Sequence, residues 1–74
     1  MTLEMMLKIV RDAVNYIDAH GMFVNGTVDF ANLQSDLGFA AAIEQSAKGN
    51  GVTIPEQVDR IVAVLPLLVG MFAK

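Results

Sequence analysis

The sequence predicts an all-α fold: a small bundle of three principal helices that forms one domain over residues 1–74. Three observations predict this fold. Apolar residues recur at helical spacing near both ends of the chain. Glycine-containing turns interrupt this pattern between the apolar segments. Helix-capping residues stand immediately before the first and the last of these segments.

The first helix is predicted over residues 2–20. Thr2 is a suitable N-cap, and Glu4 in the first turn interacts favourably with the positive end of the helix dipole. The apolar side chains fill an arc of roughly 200°, about twice the stripe that one packing neighbour needs. Gly21 follows His20 and predicts the end of the helix, because glycine readily adopts the left-handed conformation of a C-terminal cap.

Residues 28–48 are predicted to be helical, with a break near Gly38. The apolar side chains before this glycine and those after it lie on faces rotated by roughly 100°. This rotation indicates two short helices, or one helix that bends at Gly38. Thr27 is the expected cap of the first piece, and Ser35 or Asp36 is the expected cap of the second.

The last helix is predicted over residues 54–73, after the Gly49-Asn50-Gly51 loop. Thr53 and Glu56 have the spacing of a capping box, and Pro55 is tolerated in a first turn. Pro66 lies in the interior of this helix and predicts a kink there.

The two main loops share a short β-branched pattern. Residues 24–28 and residues 51–54 each lie beside an Asn-Gly turn. The two runs could pair as very short strands and so add a minimal two-strand contact between the loops.

Residues 25–30 resemble the second half of an EF-hand calcium-binding loop. The residues that match its fifth, sixth, eighth and ninth positions are Asn25, Gly26, Val28 and Asp29. The first, third and twelfth positions would be Gly21, Phe23 and Asn32, which carry no carboxylate. Calcium requires about six to eight oxygen ligands, so the sequence predicts a turn followed by a capped helix and no metal site.

The residues needed for most catalytic chemistry are missing. The chain has no Cys and one His, which excludes disulfides, thiolate sites and His-rich metal clusters. It contains no nucleophile elbow, no phosphate-binding glycine loop and no zinc-ligand spacing. The single His20 lies at the predicted end of the first helix, a position that favours a structural role for the imidazole. We therefore expect no enzyme activity and no cofactor.

Nucleic acid is not expected as a partner. The net charge is −3, and the five basic residues are spread over the whole chain instead of forming a phosphate-binding cluster. Residues 37–45 resemble part of a helix-turn-helix, but the segment that would read DNA bases contains no basic residue before Lys48.

The apolar content predicts a protein that works by assembly. Hydrophobic residues are 54% of the chain before its six Gly are counted, whereas apolar residues with Gly make up about 45–50% of ordinary domains. We expect a small structural subunit that binds a protein partner or itself, such as an accessory component of a virion or another large particle. The expected interaction face comprises Met5, Ile9, Tyr16, Val64, Leu67 and Met71.

Two alternatives remain open at this point. Residues 61–73 carry no charge, which favours a small holin-like protein at a membrane, although Pro66 interrupts the run and a spanning helix needs about 20 residues. The second alternative is a small regulatory protein with a degenerate EF-hand-like loop. No secretory signal is visible, so the expected location is the cytoplasm or a virion-like particle.

Overall fold

The computed structural model describes residues 2–72, without the side chains of residues 70–72. Helices dominate this part of the chain, which confirms the predicted all-α fold. The helices, in chain order, are α1 (Leu3–Ala19), α2 (Phe30–Gln34), α3 (Leu37–Gly49) and α4 (Pro55–Phe72). No named strand occurs among the described residues. The first and last predicted helices agree with α1 and α4 to within one residue at each end.

Thr2 caps α1, as the sequence predicts, and the structure shows that the capping is reciprocal. The Thr2 hydroxyl oxygen accepts a hydrogen bond from the Met5 backbone N–H at 3.1 Å. The Thr2 backbone N–H in turn donates to the Met5 sulfur at 3.4 Å. A methionine therefore occupies the position that Glu or Gln takes in an ordinary capping box. The helix ends before Gly21, whose φ of +63° is the left-handed conformation expected there.

The break in the middle segment lies at Ser35 and Asp36, not at Gly38. Asp36 caps α3, because its carboxylate accepts hydrogen bonds from the backbone N–H groups of Gly38 at 2.8 Å and Phe39 at 3.1 Å. These two bonds satisfy donors that a helix start leaves unpaired. The prediction of two pieces is thus confirmed, but Gly38 is already inside the first turn of the second piece.

Helix α2 is capped by Asp29, not by Thr27 as predicted. The Asp29 carboxylate accepts a hydrogen bond from the Asn32 backbone N–H at 3.2 Å. The Thr27 hydroxyl instead donates to the Val24 carbonyl at 2.8 Å, within the preceding turn. The hydroxyl is therefore engaged in the loop, and the helix begins two residues later than the sequence suggested.

The predicted pairing between the two loops is also wrong. The one β-bridge found among the described residues joins Val24 to Thr27 within the first loop. Asn25 and Gly26 turn the chain between them with φ values of 53° and 78°, which suits a tight hairpin turn. In the second loop Val52 is buried in the core, so its side chain joins the helix packing.

The core lies where α1 meets α3 and α4. Helix α1 packs against both of these helices, whereas α3 and α4 touch each other over a shorter stretch. Its apolar arc is wide because it serves two neighbours within one chain. The buried residues are Ile9, Val10, Ala13, Ile17, Leu33, Phe39, Ile43, Ala47, Val52, Ile61, Leu65 and Val69. No polar or charged residue in the described part of the chain is buried.

Candidate interaction surfaces

The α1 half of the predicted interaction face is turned toward the chain's own α3. Ile9 is fully buried in the core, so it is not available for an exposed face. Met5 is half-buried, and its terminal methyl carbon lies close to Gly51 in the loop that follows α3. Tyr16 is also half-buried and contacts Phe39. The prediction is therefore wrong for Ile9, whereas a partner contact of the half-buried Met5 and Tyr16 stays a prediction.

The α4 half of the predicted face is open to solvent where the structure describes it. Leu67 is 77% exposed. Val64 is half-buried and is not among the residues packed against the core. Met71 lies outside the residues whose side chains the structure describes. That Val64 and Leu67 contact a partner stays a prediction.

The opposite flank of α1 carries the exposed apolar residues that the prediction missed. Leu3 is 66% exposed and Leu7 is 37% exposed. They are four residues apart, so they lie one above the other on the same side of the helix. Val14 lies on this side two turns later, but it is half-buried and packs against the core. A helical-wheel signal could have found them, because these three residues form the edge of the apolar arc opposite to Met5 and Tyr16.

The exposed leucines of α1 lie on the flank away from α3. The other flank of α1 contacts α3 through Tyr16, and through Asp12, which accepts a hydrogen bond from the Ser46 hydroxyl at 2.6 Å. The exposed leucine of α4, Leu67, follows Val62, which lines a hollow together with Phe39. We use the name α1–α4 face for the exposed apolar residues of the two helices together with half-buried Val64. They are Leu3, Leu7, Val64 and Leu67.

A groove with a different character runs between α3 and α4. Two adjoining hollows of about 280 and 270 Å³ form it, and both are lined by Glu44, Val58 and Asp59. Buried Phe39 and Ile43 contribute to the apolar floor. We call this surface the α3–α4 groove. It comprises Phe39, Ile43, Glu44, Val58, Asp59 and Val62.

A small polar cluster closes the contact between α1 and α3. The Tyr16 hydroxyl donates a long hydrogen bond of 3.4 Å to the Asp36 carboxylate, the same oxygen that caps α3. Burial of the phenol, the negative charge of Asp36 and the hydrogen bond to it together raise the pKa of Tyr16. The His20 ring stacks on Tyr16 with 3.9 Å between ring centroids. This cluster joins α1 to α3.

The loop that resembles an EF-hand holds no cluster of metal ligands. A hollow of about 380 Å³ lies beside it, and Asp29 is the one carboxylate in its lining. That carboxylate already accepts the capping hydrogen bond at the start of α2. No group of three or more His, Cys, Asp or Glu side chains comes together anywhere in the described part of the chain. The loop is a hairpin turn followed by a capped helix.

None of the helices within residues 2–72 is long and apolar enough to span a membrane. Comparison with known proteins adds no relative to this description: no family model matches the chain, and no curated protein or solved structure is significantly similar to it.

Proposed function

We propose that this protein is a non-enzymatic assembly subunit that binds further copies of itself or a protein partner through the α1–α4 face. The observation that supports the proposal most is that large apolar side chains stay exposed on two helices of a chain this small: Leu3 on α1 is 66% exposed and Leu67 on α4 is 77% exposed. Single exposed apolar residues are ordinary on monomers. Several on the two longest helices of so small a chain favour a role in protein interaction.

The free energy of apolar burial favours the assembled state over the isolated monomer. A domain of this size gains only about 3–5 kcal/mol from its own core. Each leucine side chain that moves from water into an interface contributes about 1.5–3 kcal/mol. Covering Leu3, Leu7 and Leu67 would therefore add an amount comparable to the whole stability of the isolated chain. A repeating particle, such as a virion, is one setting in which many copies of such a subunit would contact one another.

Sedimentation velocity of the purified chain, from micromolar to millimolar concentration, tests the proposal. We expect the wild type to form a defined oligomer at the higher concentrations. The double variant Leu3→Ser with Leu67→Ser should stay monomeric and helical, because both side chains are exposed and outside the core. A wild type that remains a monomer throughout, and that binds no protein partner, would contradict the proposal.

The control uses two other exposed apolar residues. Val24 is 64% exposed and Leu37 is 85% exposed, and neither belongs to the α1–α4 face. The double variant Val24→Ser with Leu37→Ser removes a similar exposed apolar area and should assemble like the wild type. If this control dissociates and the Leu3 and Leu67 variant does not, the assignment of the face is wrong. Flotation of the wild type with lipid vesicles would instead support the membrane alternative.

A further inference from the structure

We propose that Asn25 is a site of spontaneous deamidation, whereas the fold protects Asn50 from the same reaction. Both asparagines precede a glycine, at Gly26 and Gly51. Deamidation needs no enzyme, and it converts a neutral side chain into a carboxylate. This reaction involves one loop and is independent of the assembly proposed above.

The reaction at Asn25 has two steps. The backbone nitrogen of Gly26 first loses its proton to a base in the solvent and attacks the side-chain amide carbon of Asn25. A bond forms between this nitrogen and Cγ, the bond from Cγ to Nδ2 breaks, and the amide nitrogen takes up a proton and leaves as ammonia. Water then adds to one of the two carbonyl carbons of the cyclic imide and opens the ring. The product is aspartate or isoaspartate, and no atom is oxidised or reduced.

An asparagine that precedes glycine is the one at which this attack is least hindered. Glycine has no β-carbon that shields its backbone nitrogen, and it leaves the chain free to rotate. The other two asparagines of the chain precede Tyr16 and Leu33 and lie within α1 and α2, where the helix holds the backbone. Asn25 and Asn50 share the favourable sequence, so a difference between them must come from their surroundings.

The groups that react at Asn25 are free of hydrogen bonds in the described part of the chain. Asn25 is exposed, and its side chain bonds to no described residue. The Gly26 backbone N–H likewise donates to no described group. Two backbone hydrogen bonds between Val24 and Thr27, of 2.8 and 3.0 Å, close the turn, and all four of its residues are exposed. Such a surface turn opens at little cost in free energy, which lets the Gly26 nitrogen rotate toward Cγ.

Both reacting groups are held at Asn50, which is half-buried. The leaving nitrogen Nδ2 donates to the Ser46 carbonyl at 2.8 Å, and the attacking nitrogen of Gly51 donates to the Lys48 carbonyl at 3.1 Å. The next residue, Val52, is buried in the core, and its N–H donates to a carbonyl of α3 at 2.8 Å. Rotation of the peptide bond between Asn50 and Gly51 would break these bonds and disturb Val52. The end of α3 therefore protects Asn50.

The two products would affect the loop between α1 and α2 differently. Isoaspartate inserts an extra carbon into the main chain after Val24, so the two-residue turn to Thr27 no longer has its ordinary geometry. Aspartate leaves the main chain unchanged. Either product adds a negative charge to a chain whose net charge is already −3. The bridge between Val24 and Thr27 should therefore be lost with isoaspartate and kept with aspartate.

Peptide mass spectrometry of the aged wild-type chain tests the proposal. The folded protein and a sample unfolded in urea are incubated at mildly alkaline pH, which favours loss of the glycine N–H proton, and are then digested with trypsin. Cleavage after Lys48 places Asn25 and Asn50 on separate peptides, and fragmentation locates the changed residue. In the folded chain Asn25 should lose its amide about tenfold faster than Asn50 or more, because its loop opens more easily than the end of α3. In urea the two rates should be similar.

The control variant is Asn25→Gly. Asn25 has a φ of 53°, which glycine adopts without strain, so the turn should form while the reactive amide is absent. The mass change on the peptide that contains residue 25 should then disappear, and Asn50 should react as in the wild type. Equal rates at the two sites in the folded chain, faster loss at Asn50, or loss at both sites only in urea would overturn the proposal. A mass change on this peptide that persists in Asn25→Gly would do the same.

Discussion

The contact between α1 and α3 and the contact between α3 and α4 are built differently. Side-chain hydrogen bonds cross the first, from Ser46 to Asp12 at 2.6 Å and from Tyr16 to Asp36 at 3.4 Å. Among the described residues no side-chain hydrogen bond or ion pair joins α3 to α4, and two hollows open between them. Polar side-chain contacts thus join α1 to α3, whereas a groove runs between α3 and α4.

The largest effect on stability is expected from a substitution of a core residue in α4. Leu65 is 1% exposed and Leu67, two residues later in the same helix, is 77% exposed. Leu65→Ala should lower the free energy of unfolding by about 2–5 kcal/mol, because it removes core contacts and leaves a cavity. Leu67→Ala should change it by less than about 0.5 kcal/mol in the monomer. Urea denaturation at low protein concentration measures both free energies of unfolding. If both variants lose equal stability, α4 does not bury Leu65 and expose Leu67 as described.

A second prediction concerns the polar contact between α1 and α3. Asp36→Ala removes the cap of α3 and the acceptor for Tyr16, and should lower the free energy of unfolding by about 0.5–2 kcal/mol. Asp36→Asn keeps a good capping oxygen and should cost much less. If urea denaturation finds the two variants equally unstable, the carboxylate acts through its charge and not through the cap.

The third prediction uses the close approach of α1 to α3 at Gly38. A β-carbon there would lie 2.6 Å from the Tyr16 hydroxyl oxygen, whereas a β-carbon at Gly49, in the same helix, would meet nothing within 4 Å. Gly49→Ala should stabilise the chain by about 0.5–1 kcal/mol, as alanine usually does in a helix. Gly38→Ala should destabilise the wild type more than the Tyr16→Phe variant, because that variant lacks the nearest obstructing atom and keeps only the Asp36 carboxylate oxygen, 3.2 Å from the added β-carbon. A double-mutant cycle measures this coupling; an unchanged effect in the two backgrounds would rule out the contact.

The smallest expected effect is a dependence of stability on pH. Because the pKa of Tyr16 is raised from its ordinary value of 10.0, the folded state favours the neutral phenol. The stabilisation is fully present below pH 10.0 and is lost as the pH rises through the folded-state pKa. Tyr16 is the one tyrosine of the chain, so ultraviolet absorbance follows its ionisation directly. Asp36→Asn should lower this pKa toward 10.0; a titration curve identical to that of the unfolded chain would disprove the link.

The helices could be predicted from the sequence because their signals are local. Thr2 and Asp36 cap their helices through groups two or three residues away, and periodicity alone locates α1 and α4. The exact position of the break in the middle segment could not be predicted, because Gly38 and the capping residue Asp36 are competing local signals. Gly38 suggested a hinge, but it is a glycine that admits the Tyr16 hydroxyl from another helix, which no local pattern reveals.

The interaction face could be predicted only in part. The width of the α1 arc is visible in the sequence, but which edge a neighbouring helix covers depends on tertiary packing. Helix α3 covers the edge with Met5 and Tyr16, so Leu3 and Leu7 remain exposed on the other. The α3–α4 groove was not predictable, because Glu44 and Asp59 are fifteen residues apart in the chain and come together only in the fold.

A dilution series of amide NMR spectra of the wild-type chain tests the proposed self-assembly most directly. With rising concentration we expect the amide signals of residues 3–7 and 64–67 to shift. Signals of the turn at residues 24–27 should stay in place. Concentration-independent spectra, or shifts that leave residues 3–7 and 64–67 unchanged, would contradict self-assembly through the α1–α4 face.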